Sequence, residues 1–304
     1  PPPRPVSADS THKAQVAVKD SVKPEQPAPR TRTEIPLSPA ESAGKFFANR
    51  TSGQEKILVV RTDLYTAKIT TRGGLIKEWE LRKYLAWDKN PVQLVDYDHG
   101  GDFSLLFTSS DGKLINTRDL YFDGDFQNWK TVELAGDQSF SVDLVLPLEG
   151  NQNIVKHLTF TNGKYSFDCE IRFDHMDQVV SNFEYQVIWE NGLRYAEHNS
   201  VDESSFAMAY AYTGGEVADI DATKQGEVVK RDINGTMSWV ASRNKYFAVA
   251  MLPEEGKSQG AYLEGTRLVV PDHGVKETYS LALKMPLKGG ATETSKITVF
   301  LGPL

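Results

Sequence analysis

Apolar residues in this chain recur at every second position over short stretches. Phe140/Val142/Leu144/Leu146, Phe183/Tyr185/Val187/Trp189, Phe206/Met208/Tyr210/Tyr212 and Tyr279/Leu281/Leu283/Met285 are examples. Side chains of an extended backbone alternate between two faces, so this period specifies strands with one buried side. Between such stretches lie five Asn-Gly or Asp-Gly pairs, at 111–112, 123–124, 162–163, 191–192 and 234–235. These pairs supply the positive φ of the type I′ turn that matches strand twist, so each is expected to close a hairpin. No helix-period pattern of about 12 or more residues interrupts the series, which argues against βαβ units. The expected fold is all-β, a large antiparallel β-sandwich of roughly fifteen to eighteen strands in two stacked sheets. Fourteen Phe, twelve Tyr and five Trp supply the apolar material for one large core.

The first 40 residues differ sharply. They hold nine of the fifteen prolines and precede the first aromatic residue, Phe46. Such a segment buries too little apolar surface to offset its ordering entropy, so residues 1–45 are read as a flexible, disordered Pro-rich linker ahead of a folded domain at 46–304. As a coil it would reach roughly 35–40 Å. Ser38-Pro39-Ala40-Glu41 has the makings of a capping box, predicting a short helix near 39–47.

The net charge is −7. Residues 1–50 carry eight Lys/Arg against five Asp/Glu, or +3, which leaves −10 on residues 51–304. An acidic body excludes nucleic acid, whose phosphates need a basic footprint. No apolar run approaches the roughly 18 residues of a membrane span. The chain opens on Pro1 rather than Met, as an excised fragment would.

Signals for chemistry are sparse. Gly73-Gly74 and Gly214-Gly215 are turn pairs without the following Lys-Ser/Thr of a phosphate loop. No Cys pair or His-Glu-x-x-His is present for zinc, and His12, His99, His157, His175, His198 and His273 are scattered, so no metal or cofactor is expected. Cys169 alternates with Phe167, Ile171 and Phe173 and reads as a buried thiol. One polar cluster has the residue types of sugar chemistry: Glu190, Glu197 and His198, with Asp202 and Glu203 nearby. A carboxylate and an acid/base partner against aromatic walls would suit a mutarotase-like or carbohydrate-binding protein. Following the Asn191-Gly192 turn, the cluster reads more simply as a solvated loop.

Residues 204–235 have a different character. Phe206, Tyr210 and Tyr212 precede Gly214-Gly215 and a charged run from Glu216 through Lys224, Glu227, Lys230 and Arg231. Tyrosine beside charged rim residues is the composition of a protein contact, because Tyr offers large area at small entropic cost.

Four segments together carry a family resemblance. Thr62-Asp63 opens an alternating strand through Thr71, followed by Arg72-Gly73-Gly74 and a Trp79/Leu81 strand ending in Tyr84. Lys156 to Phe173 forms two strands around Asn162-Gly163-Lys164. Ser238-Trp239-Val240-Ala241 precedes Lys245-Tyr246-Phe247-Ala248, and the chain closes on Val299-Phe300-Leu301-Gly302-Pro303. In this order they resemble the large periplasmic domain of YidC-family membrane protein insertases.

The resemblance implies a supersandwich similar to galactose mutarotase and a non-enzymatic scaffold or chaperone without catalytic residues. It further implies a periplasmic location at the bacterial inner membrane, with membrane contact only through flanking helices outside this chain. The partners implied are accessory subunits of the Sec translocon, met near residues 204–235, and nascent membrane proteins engaged by the full-length protein. The helical stretch that the family carries before its membrane core is missing after Leu304.

Overall fold

The structure, a computed structural model, describes residues 37–126 and 131–304. The expected linker falls mostly on residues 1–36, outside the described residues. Among those described, twenty strands form three sheets rather than the expected two. The five-stranded sheet has the order β4 (Pro91–Gln93), β3 (Leu75–Leu85), β2 (Tyr65–Thr70), β1 (Ile57–Arg61), β8 (Thr131–Glu133). The nine-stranded sheet runs β14 (Glu216–Ile220), β13 (Met208–Thr213), β16 (Met237–Arg243), β17 (Phe247–Pro253), β20 (Thr292–Pro303), β11 (Ser166–Asp174), β10 (Asn153–Thr161), β9 (Ser139–Pro147), β7 (Asp123–Gly124). The six-stranded sheet runs β15 (Val228–Asn234), β18 (Gly260–Val270), β19 (Gly274–Pro286), β12 (Glu184–Trp189), β5 (Ser104–Thr108), β6 (Leu114–Asn116). Pairing is antiparallel except between β1 and β8.

The two smaller sheets lie against the same face of the large one. Trp79 of β3 meets Phe167 of β11 at 5.9 Å between ring centroids, while Phe107 of β5 and Tyr185 of β12 meet Phe173 of β11 at 6.3 and 4.6 Å. One continuous apolar layer therefore fills the sandwich, with separate aromatic clusters around Phe167 and Phe173. Cys169 lies in that layer, and burial pushes its thiol up to about 12, so it is an inert apolar filler.

Only two of the five Asn-Gly or Asp-Gly pairs close hairpins, Asp111-Gly112 between β5 and β6 and Asn162-Gly163 between β10 and β11. Asp123-Gly124 is itself the short edge strand β7. Asn191-Gly192 ends β12 where the chain leaves its sheet, and Asn234-Gly235 carries the chain from β15 to β16 in a different sheet. In four of the five pairs the glycine alone has positive φ, so the expected type I′ turn, which needs it at both residues, does not form, and which strand lies beyond each pair depends on packing.

The Gly73-Gly74 turn does join β2 to β3, with φ of 73° and 58°. It is a close approach as well as a turn, since a Cβ on Gly73 would lie 2.7 Å from Arg118 Cα. Thr62 orders the preceding turn by accepting from the Leu64 and Tyr65 amides at 3.1 Å. Asp63 and Asn162 exchange two hydrogen bonds of 2.8 and 2.7 Å, which tie the β1–β2 turn to the β10–β11 turn.

One helix, α1 (Pro39–Phe47), carries the capping box: Glu41 N donates to Ser38 Oγ, and Ser38 N donates to Glu41 Oε2. Phe47 is fully buried against Phe107, and Ala43 one turn earlier is buried as well, while residues 37–42 are exposed.

At the centre lies Lys156, fully buried on β10. Its ammonium donates to Gly74 O at 3.0 Å and Phe103 O at 2.7 Å, and sits 5.1 Å from the Phe103 ring centroid. One side chain thus joins the nine-stranded sheet to the β2–β3 turn of the five-stranded sheet and to the entry of β5 in the six-stranded sheet. Burial lowers Lys156 to about 8, the direction expected for a cation taken out of water. Asp102, next to Phe103 and also buried, accepts from the Glu190 and Asn191 amides at 2.6 and 2.9 Å.

Candidate interaction surface

Strand β13 has the period read from its sequence, but the large residues are on the outside. Ala209 and Ala211 are buried completely, whereas Met208, Tyr210 and Tyr212 face out and Phe206 is 41% exposed. The reason is close approach of the sheets. Cα atoms of β13 and β16 come within 8 Å of β18 and β19, below the roughly 10 Å usual for stacked sheets. On β13 only the small Ala209 and Ala211 face inward there, while the adjacent β16 buries Met237 and Val240.

Outside, Tyr212 lies between Val217 of β14 and Trp239 of β16, and its ring stacks on Trp239 at 5.6 Å with an interplanar angle of 10°. A second row runs from Tyr210 through Ala241 and Ala250 to Phe300. The result is a broad face of aromatic and small apolar residues, with Val217 still 53% exposed.

The charged members of the predicted contact lie elsewhere. Lys230 and Arg231 are on β15, the edge of the six-stranded sheet, and Lys224 is in the preceding loop. Lys230 pairs with Glu264 at 3.3 Å and Lys224 with Glu227 at 3.4 Å. Arg231 alone reaches across, donating to Asp219 O of β14 at 3.0 Å. The six residues therefore form two groups on different sheets, bridged at one open end of the sandwich. The loop joining them is anchored from inside: Ala222 N donates to Tyr279 Oη at 2.9 Å, and Tyr279 donates to buried Glu277 at 2.7 Å.

The residues of the sugar reading are also divided. Glu190 is held by Asn116 Nδ2 and Arg118 Nε, both at 2.7 Å. Glu197 accepts from Tyr246 Oη and lies 3.8 Å from Lys245. His198 packs edge-on against Trp87 at 4.6 Å. Glu190 has no partner in common with the other two. Nor is this cluster simply a solvated loop, because Glu203 is completely buried and accepts from the Ala196 and Glu197 amides at 2.8 and 2.7 Å. Desolvation raises its carboxyl above the ordinary range. Among the described residues no group of three or more His, Cys, Asp or Glu is placed to hold a metal ion.

Sequence reasoning passed over two features. Lys156 was marked by the alternation itself, since it shares its face with Ile154, Leu158 and Phe160. A projecting apolar hairpin tip, Tyr84-Leu85-Ala86-Trp87, lines a cleft of about 570 Å³ with Glu197, Tyr246 and Leu304. Its signal was an apolar run lying beyond the end of the alternating part of β3.

The family model described as the YidC periplasmic domain matches residues 57–304. Relatives named membrane protein insertase YidC include that of Chlorobaculum parvum, 35% identical over 270 residues, covering 88% of this chain and 45% of the relative. That of Pelodictyon phaeoclathratiforme is 34% identical over 309 residues, covering 100% and 50%. This chain thus spans about half the length of those relatives. Among solved structures, a galactose mutarotase-like protein from Lactobacillus casei has a TM-score of 0.44 at 13% identity, covering 81% of this chain and 100% of that one. Heparan sulfate lyase HepC from Pedobacter heparinus has a TM-score of 0.44 at 11% identity, covering 79% and 33%. Among the described residues no helix is long and apolar enough to cross a membrane.

Proposed function

The chain belongs to the YidC periplasmic-domain family, and from that premise we propose that it is the periplasmic scaffold of a membrane protein insertase in a bacterial inner membrane, docking an accessory subunit of the Sec translocon. It holds partners and performs no catalysis. Insertion and folding of nascent membrane proteins belong to the full-length protein. The observation that carries the reading is the uncovered outer face of β13 and β16, with Tyr212 stacked on Trp239 and Tyr210 on the same face of β13. Rigid aromatics on a sheet face give a protein partner large contact area without loop ordering. Lys224, Lys230 and Arg231 would form the polar rim at the open end.

The test is site-specific photocrosslinking in the full-length protein within its native membrane. A photoreactive residue at Tyr212 is expected to give an adduct with a translocon accessory subunit. The same residue at Thr159, on the opposite half of the sheet, gives none. Equal adducts at both positions, or none at Tyr212, would sink the proposal.

A further inference from the structure

The hairpin joining β3 to β4 extends beyond its sheet. Residues Arg82 to Leu85 are exposed, and the tip presents Leu85 at 65% and Trp87 at 59% exposure. The tip is held firmly with these side chains outward. Ala86 N donates to Asn90 O at 2.8 Å, Lys89 N donates to Ala86 O at 2.9 Å, and Trp87 N donates to Ala196 O at 3.0 Å. Tyr84 packs edge-on against Phe247 at 5.6 Å. Beside the tip lies Tyr246, 39% exposed, which lines the same cleft as Tyr84, Leu85 and Trp87, so the apolar surface is contiguous.

Exposed Leu and Trp on a protruding, ordered turn are costly unless something covers them. The charge around the tip indicates what. Residues 82–91 carry Arg82, Lys83 and Lys89 against Asp88 alone, a local +2 on a body of −10. Trp and Tyr rings flanked by Lys and Arg match the headgroup region of a bilayer, where the rings sit among the carbonyls and the cations meet anionic phosphates.

We propose that the Tyr84–Trp87 hairpin tip, with Tyr246, is a membrane-contact site that inserts shallowly into an anionic lipid surface. It would set one end of the sandwich against the bilayer. This departs from the expectation that the chain meets membrane only through flanking helices. It rests on the family reading only for the presence of a bilayer nearby. The crosslink at Tyr212 can succeed or fail independently of it.

The experiment is co-sedimentation of the 304-residue chain with vesicles of phosphatidylethanolamine and phosphatidylglycerol, beside vesicles of phosphatidylcholine alone. The chain is expected to partition at least several-fold better onto the anionic vesicles, and 0.5 M salt should weaken binding as screening predicts. Leu85→Asp with Trp87→Asp should reduce partitioning about tenfold or more. Both positions are exposed, so circular dichroism and Tm should be unchanged, and Thr159→Asp should bind like the parent chain. Failure of the parent chain to bind, or binding unaffected by the double substitution, would overturn the proposal. So would a concentration-dependent dimer that the double substitution abolishes without any vesicle binding, which would assign the tip to self-association.

Discussion

Within the nine-stranded sheet, β13 follows the same alternation as β9, β10 and β11 with opposite contents, although its neighbours β16 and β17 bury Val240, Phe247, Val249 and Met251. In β9, β10 and β11 the large residues are inside, Leu144, Phe160 and Phe167 among them, and the outer face carries Ser141–Thr159 and Ser139–Thr161 pairs at 2.8 and 3.0 Å with Asp143 on His157. In β13 the inside is Ala209 and Ala211, and the outside is Met208, Tyr210 and Tyr212. β20 is the seam: Thr298 bonds Asp168 of the polar half at 2.6 Å, while Phe300 ends the apolar row. The polar half is finished by its own cross-strand pairs and by water. The other half carries its aromatics on the outer face, Tyr210, Tyr212 and Trp239 among them. Spacing between layers, more than composition, separates the two.

The largest effect should come from beneath the polar half. Lys156→Ala leaves the Gly74 and Phe103 carbonyls unpaired at the junction of three sheets and should cost about 3–5 kcal/mol in urea unfolding. The lysine also has a pH signature. Its folded value is about 8, against roughly 10.4 in an unfolded chain. Between those values the unfolded state binds the extra proton, so this group makes stability rise with pH from about 8 to 10.4. Urea midpoints measured from pH 7 to 10 should show that rise in the parent chain and lose it in Lys156→Met. A flat profile in both would place the proton elsewhere.

Beneath the apolar half, Ala211→Phe should overfill the narrow gap and cost about 1–3 kcal/mol by thermal or chemical melting. If it were tolerated, close approach of the sheets would not be the reason for the inversion. The smallest effects should be on the outer faces. Tyr212→Ala is expected to change stability by less than about 1 kcal/mol, and Thr159→Ala by less than about 0.5 kcal/mol. The first alone should lower yield of the translocon adduct, read from a crosslinker placed at Trp239. Equal losses from both would erase the functional distinction between the halves.

Much of the fold was legible in the residues. The Tyr65, Ala67, Ile69 face of β2, the Cys169 face of β11 and the Tyr279 to Met285 face of β19 are buried as their alternation requires. The Gly73-Gly74 turn and the Ser38–Glu41 capping box are local and were readable for that reason. The candidate site was less so. Tyr210 and Tyr212 lie on β13 with Phe206 just before it, whereas Lys230 and Arg231 lie on β15 of another sheet with Lys224 in the loop before it, and Glu190 stands apart from Glu197 and His198. Residues near in sequence are not near in space once a turn such as Asn234-Gly235 passes between layers.

From the chain alone come the antiparallel class, the strand period and the positions where the backbone reverses. These depend on φ/ψ preferences and on side chains within a few residues of one another. Which face of β13 is inside, which strands the Asn-Gly turns join, and why a lysine can lie at the centre depended on assembly. Each is governed by the distance between layers and by acceptors such as Gly74 O and Phe103 O, brought to Lys156 from 82 and 53 residues away.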